Sequence, residues 1–193
     1  MIAQLKGRLI EKTPTYVIID CNGVGYQVNI SLHTFEQLGS DELCLLYTHL
    51  IIREDAHLLY GFKDKNEREL FRLLISVSGV GSATAMVILS SLTTTEVKTA
   101  IGSGDVNTLK RVKGIGAKSA ERIIIDLRDK IDKIGENDIN FAVSNNTIKD
   151  EALSALIMLG FAKKPAEVAL NKVLAVSEDL SVEQLIKQTL KSL

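Results

Sequence analysis

The residues in this chain best suited to binding chemistry are pairs of glycines and the main-chain amides they free. Leu74-x-x-Val77-Ser78-Gly79-Val80-Gly81 recurs 35 residues later as Leu109-x-x-Val112-Lys113-Gly114-Ile115-Gly116. Ala85, Ile88, Leu89 and Leu92 follow the first copy, and Ala120, Ile123, Ile124 and Leu127 follow the second at the same spacing. A repeated phrase reports a unit used twice. Glycines on both sides of one aliphatic residue admit backbone angles closed to other residues, so the chain turns tightly between helices. The aliphatic residue plugs the turn, while amides of the turn and of the next helix point outward. Unpaired amides and the positive end of a helix dipole bind phosphate. Gly79, Val80, Gly81, Ser82 and Ala83 form one expected phosphate site; Gly114, Ile115, Gly116, Ala117 and Lys118 form the other. Lys118 falls in the first helical turn after the second copy, and Arg122 one turn further on the same face, so both add charge. Lys110, Arg111 and Lys113 are supporting charges, and Ser82 offers a hydroxyl. Such sites read backbone rather than bases.

These sites need helices around them, and the sequence supplies them from Lys65 onward. Asn66–Val77 puts Leu70, Leu73, Leu74 and Val77 on one face and Glu67, Arg68 and Arg72 on the other. A helix follows the first hairpin to about Leu92. Thr93 to Glu96 reads as a capping box for a helix to about Ile101. Gly102-Ser103-Gly104 is expected to break the chain, Asp105 to cap a short helix, and Ala117–Ile131 to follow the second hairpin. Residues 65–134 thus read as a tandem helix-hairpin-helix domain.

Residues 1–64 read differently. Strand patterns run over Met1–Lys12, Tyr16–Asp20, Tyr26–Ile30, Leu43–Ile52 and Ala56–Phe62, with a short helix from an N-cap at Ser31 to Leu38. About five strands and one helix in this length suit a small closed barrel, with the oligonucleotide-binding (OB) barrel ahead of a simple meander. Residues 135–147 are polar and aperiodic and read as a flexible linker. Residues 148–193 read as a three-helix bundle over Ile148–Leu159, Lys164–Val176 and Val182–Leu193, tethered in a way that suits holding a partner. The fold class is therefore α+β and multidomain.

Charge and composition narrow the function. The net charge of −1 conceals −3 on residues 1–64, +4 on 65–135 and −2 on 136–193. The positive charge collects where the repeated phrase lies, as an electrostatic footprint on nucleic acid requires. Cys21 and Cys44 are far apart and suit buried thiols in a reducing cytoplasm. His33, His49 and His57 have no metal-ligand spacing, and no metal or cofactor is expected. No signal segment or membrane span is apparent. Gly23-Val24-Gly25 lacks the third glycine of a dinucleotide fingerprint and is followed by a strand, so it reads as a hairpin turn. Gly114 to Ser119 half resembles a phosphate-binding ATPase loop, but Lys118 follows alanine and the leading glycine spacing fails.

In this order the parts resemble the RuvA family, bacterial Holliday-junction recognition subunits of the RuvAB branch-migration complex. Three phrases carry the resemblance: Arg53-Glu54-Asp55-Ala56-His57-Leu58-Leu59-Tyr60-Gly61-Phe62, Ser78-Gly79-Val80-Gly81, and Gly114-Ile115-Gly116-Ala117-Lys118-Ser119-Ala120-Glu121-Arg122. The likeness implies a non-catalytic homotetramer, one or two per junction, that holds a four-way DNA junction open. It implies that the C-terminal domain recruits the hexameric RuvB ATPase, with the RuvC resolvase as a further partner, in recombination and in repair of DNA damage under the SOS response. It makes Glu54 and Asp55 an acidic pin, where composition alone gives only a solvated turn. The family often has Pro-Lys after the first Gly-Val-Gly; Ser82-Ala83 stands here, and Ala117 replaces a lysine before Lys118. Two rival classes remain at this stage. A glycosylase or nuclease would need a catalytic Asp or Lys or clustered metal-binding acids, and adjacent acids on one turn serve that poorly. A protein scaffold is opposed by the basic middle segment.

Overall fold

The computed structural model describes residues 1–39, 42–131, 134, 146–175 and 180–192. Its first strands are β1 (Gln4–Lys12), β2 (Tyr16–Cys21) and β3 (Val24–Ile30), followed by helix α1 (Leu32–Gln37), β4 (Leu43–Ile52) and β5 (His57–Phe62). Alternating apolar residues turn Val17, Ile19, Val28, Ile30 and Leu46 inward, and burying them closes the sheet into a barrel ordered β1-β2-β3-β5-β4. β1 pairs antiparallel with both β2 and β4, while β3 meets β5 in parallel through Asn29↔Tyr60 and Ile30↔Gly61. That closure leaves no room for a side chain at Gly61, where a Cβ would lie 2.5 Å from Val28. The strand order is that of the expected OB barrel. Asn22 and Gly23, at φ 55° and 90°, form the turn between β2 and β3. Positive φ at both residues suits a two-residue hairpin, so the turn is Asn22-Gly23, and Val24 and Gly25, expected to belong to the turn, already pair with Cys21 and Asp20 as the start of β3.

Five further helices follow: α2 (Lys65–Ser76), α3 (Ser82–Ser91), α4 (Thr94–Ser103), α5 (Val106–Lys110) and α6 (Ala117–Ile131). The Thr93–Glu96 capping box opens α4, and the Asp105 carboxylate accepts from the amides of Asn107 and Thr108 to open α5. One expectation fails here. Gly102 and Ser103 continue α4, and Gly104 alone ends it in the left-handed region at φ 76°.

A second correction concerns Glu67. The periodicity of α2 sets it on the outer face with Arg68 and Arg72, yet it is 1% exposed. Glu67 itself is covered by α1 and its N-cap. Ser31 and Thr34 donate their hydroxyls to the two Glu67 carboxylate oxygens, the latter at 2.7 Å. Barrel and helices are joined by apolar contact as well, because Tyr60 and Phe62 of β5 belong to the same core as Leu70, Phe71 and Leu74 of α2. Residues 1–64 and 65–134, read as separate domains from the sequence, therefore share one compact unit, Met1–Glu136.

The second unit, Asn137–Leu193, holds α7 (Asn146–Met158), α8 (Lys163–Leu174) and α9 (Val182–Leu190). Ala152, Leu156, Ala166, Leu170 and Leu185 form its core. Gly160 closes α7 at φ 99°, and Ser181 caps α9 with Gln184 completing the box. The expected linker 135–147 lies outside the described residues except Asn146 and Thr147, which open α7.

Candidate nucleic-acid interface

The repeated phrase folds into the same turn twice. Gly79 and Gly114 sit at φ 89° and 90°, a conformation that side chains resist. In each copy the plug residue is buried, Val80 at 5% and Ile115 at 6% exposure. Val80 N–H donates to Val77 O at 3.0 Å, and Ile115 N–H donates to Val112 O at 3.1 Å. The next helices start alike, with Ala85 donating to Gly81 O at 2.9 Å and Ala120 donating to Gly116 O at 3.0 Å. Small residues sit where the helices meet: Ala85 and Ala120 are both fully buried. Burial of Leu74, Val77, Ile88 and Leu89 is repeated at Leu109, Val112, Ile123 and Ile124.

An amide account divides the expected phosphate residues. Val80 and Ile115 drop out as donors, because their N–H groups close the turns themselves. The amides of Ser82, Ala83 and Thr84 precede the first intrahelical bond of α3, so the helix leaves them unpaired. Gly81 caps this helix without any side chain covering those amides. Lys118 and Ser119 hold the corresponding place in α6. Gly79, Gly81, Ala83, Gly114, Gly116, Ala117 and Lys118 are all exposed around these ends. Ser82 is not: it is 5% exposed, and its hydroxyl accepts from Tyr60 Oη at 2.9 Å. Its hydroxyl is thus turned inward, contrary to the reading that it offers itself to a ligand, and only its amide remains for one.

The two hairpins differ in charge. Between Arg72 and Glu96 there is no Asp, Glu, Lys, Arg or His, so the first hairpin is uncharged. The second is ringed by Lys110, Arg111, Lys113 and Lys118, all exposed and none in an ion pair among the described residues. Arg122 is exposed too, but its guanidinium lies 3.9 Å from Asp126.

The acidic turn lies on the barrel, between β4 and β5. Ile52↔His57 is the last rung, and Arg53 N–H donates to Ala56 O at 2.8 Å to close the loop. Glu54 and Asp55 are exposed there. Among the described residues no group of three His, Cys, Asp or Glu side chains could hold a metal ion, and no helix is long and apolar enough to cross a membrane. Cys44 is buried and Cys21 half-buried, and both are free thiols.

Fold and site together define a tandem helix-hairpin-helix protein built onto an OB-type barrel. Residues 1–61 match the RuvA N terminal domain, 71–129 the SAM-like helix-hairpin-helix tandem, and 147–193 the RuvA C-terminal domain. Proteins described as Holliday junction branch migration complex subunit RuvA are similar over their full length. Those from Flavobacterium psychrophilum and Christiangramia forsetii are each 54% identical over 193 residues, covering 100% of both chains. That from Cytophaga hutchinsonii is 48% identical over 197 residues, covering 99% of each. The chain belongs to the RuvA family.

Proposed function

We propose that this protein is the DNA-binding subunit of a branch-migration complex, without catalytic activity of its own. It binds four-way junctions through backbone phosphates and recruits the RuvB ATPase that drives migration in recombination and repair. The observation that carries the reading is the pair of hairpins with matching backbone geometry, set in one compact unit with an exposed acidic turn. Two equivalent amide sites suit two phosphates of one DNA arm, and their spacing is held by a shared core rather than by a linker.

A junction has fourfold repetition of arms, so the proposed assembly is a homotetramer in the cytoplasm, with one or two tetramers on each junction. The second unit, Asn137–Leu193, is the proposed docking site for RuvB, and RuvC is a further proposed partner. In such a ring Glu54 and Asp55 from each copy come together at the crossing point, where carboxylates repel phosphates and keep strands apart. That repulsion is local, because charges beyond ~10 Å are screened at ~0.1 M salt.

The test is binding to a four-way junction, a duplex and a single strand, with and without magnesium, across a salt series. The expected result is preference for the junction, weakening as salt rises, with every strand left intact. Equal affinity for the three DNAs, or magnesium-dependent nicking, overturns the proposal. Glu54→Gln combined with Asp55→Asn is expected to retain junction binding while changing junction geometry and RuvB-driven migration rate. Unchanged geometry and rate in that double variant would remove the role given to the acidic turn.

A further inference from the structure

The bond between Tyr60 and Ser82 joins the two parts of the proposed interface. Tyr60 belongs to β5, the strand that leaves the acidic turn. An unbroken ladder, His57↔Ile52, Leu58↔Ile51, Leu59↔Leu50 and Tyr60↔His49, runs from that turn to the tyrosine. At ~3.3 Å per residue the three steps from His57 to Tyr60 span roughly 10 Å of stiff hairpin. The Tyr60 ring is 7% exposed and lies against Phe71 of α2 at 5.0 Å between centroids. Its hydroxyl donates to Ser82 Oγ at 2.9 Å, at the first residue of α3. Ala117 holds the matching place in the second hairpin. Having no hydroxyl, it cannot take part in such a bond.

We propose that Tyr60 is a positioning residue, which fixes the amide end of the first hairpin relative to the acidic turn through its bond to Ser82. The inference rests on the reading of that hairpin as a phosphate contact. A duplex needs only the hairpins. A junction must satisfy the hairpins and the acidic turn at once, so an error in their spacing is felt most by the junction. The first hairpin has no charged residue to draw a phosphate in from a distance, and its grip depends on where its amides stand.

The experiment uses the full-length protein with Tyr60→Phe, Ser82→Ala, the two combined, and Ala83→Asp. It measures affinity for a junction and for a duplex, alongside thermal unfolding. Tyr60→Phe keeps the ring and its packing while removing the donor. Each single variant is expected to weaken junction binding by about 2- to 10-fold, the scale of one hydrogen bond. Duplex affinity is expected to fall by clearly less than junction affinity, and the double variant to be no weaker than either single, because both remove one bond. Unchanged junction affinity, a parallel loss for junction and duplex, or additive losses would each overturn the inference.

Ala83→Asp separates this from the underlying reading. A carboxylate in the exposed first turn of α3 favours the helix but repels phosphate from its amides. It is expected to weaken both DNAs at least several-fold without lowering the unfolding temperature. If it binds both as the parent does, the phosphate reading of the first hairpin fails. If it weakens binding while Tyr60→Phe does not, only the positioning role fails.

Discussion

Lys118 and Arg122 stand one helical turn apart on α6, yet they give up different things to meet a phosphate. Arg122 has Asp126 within 3.9 Å, whereas Lys118 has no ion-pair partner among the described residues. Lys118→Ala is therefore expected to weaken DNA binding and reduce the slope of log affinity against log salt by about one, read from a salt titration. Arg122→Ala is expected to change that slope less, since the free protein already spends part of this charge on Asp126. Gly79 and Gly114 permit a different test. A Cβ at either would meet nothing within 4 Å, so the cost of alanine there is conformational. Each substitution is expected to lower stability by about 1–2 kcal/mol, read by chemical denaturation. At this scale the sequence showed which residues form the turns but not which of their amides are free. Val80 and Ile115 were expected to donate outward, and Ser82 to offer its hydroxyl. The first two are spent on carbonyls three residues back, and the third is met by a tyrosine 22 positions earlier in the chain. The first is a local bond that the repeated spacing contains without announcing, and only the second depends on a partner distant in the chain.

At the scale of elements, periodicity was a good guide wherever one face of an element meets solvent. β4 runs over Leu43–Ile52 and α6 over Ala117–Ile131, both as expected from pattern alone. It failed for Glu67 because α1 and its N-cap cover that residue, a contact between segments more than 30 residues apart. Burial raises the Glu67 pKa above its ordinary 4.5, and the Ser31 and Thr34 hydroxyls oppose that shift only in part. The unfolded chain then gives up this proton at a lower pH than the folded one. Stability from this group is thus undiminished below pH 4.5 and declines as pH rises through the raised folded value. Glu67→Gln is expected to flatten that decline while keeping a partner for the two hydroxyls. Glu67→Ala is expected to cost ~1–3 kcal/mol at pH 4, by leaving the Ser31 and Thr34 hydroxyl protons without their acceptor, and less at pH 8. Urea denaturation between pH 4 and pH 8 checks both; an unaltered pH profile in Glu67→Gln would show that another group sets it.

For the whole molecule, two compact units with separate cores predict separable tasks. A chain ending at Glu136 is expected to fold and keep junction affinity within about threefold, because each proposed phosphate contact and the core that holds both hairpins lie before that point. It is expected to lose stimulation by RuvB, measured as ATP-dependent migration of a labelled junction. The order of parts was legible from the sequence because each has its own period: alternating strands, then helices around two glycine turns, then a small bundle. The merging of barrel and hairpins into one unit was not, since it depends on β5 side chains reaching the core of α2. That merger also bears on the uncharged stretch from Arg72 to Glu96. Under the proposed contacts, a phosphate leaving the first hairpin gives up amide bonds alone, whereas one leaving the second also breaks from lysine. Dwell time at the two is therefore expected to differ, with the second hairpin holding its phosphate longer. Added salt is therefore expected to quicken release from the second hairpin far more than from the first.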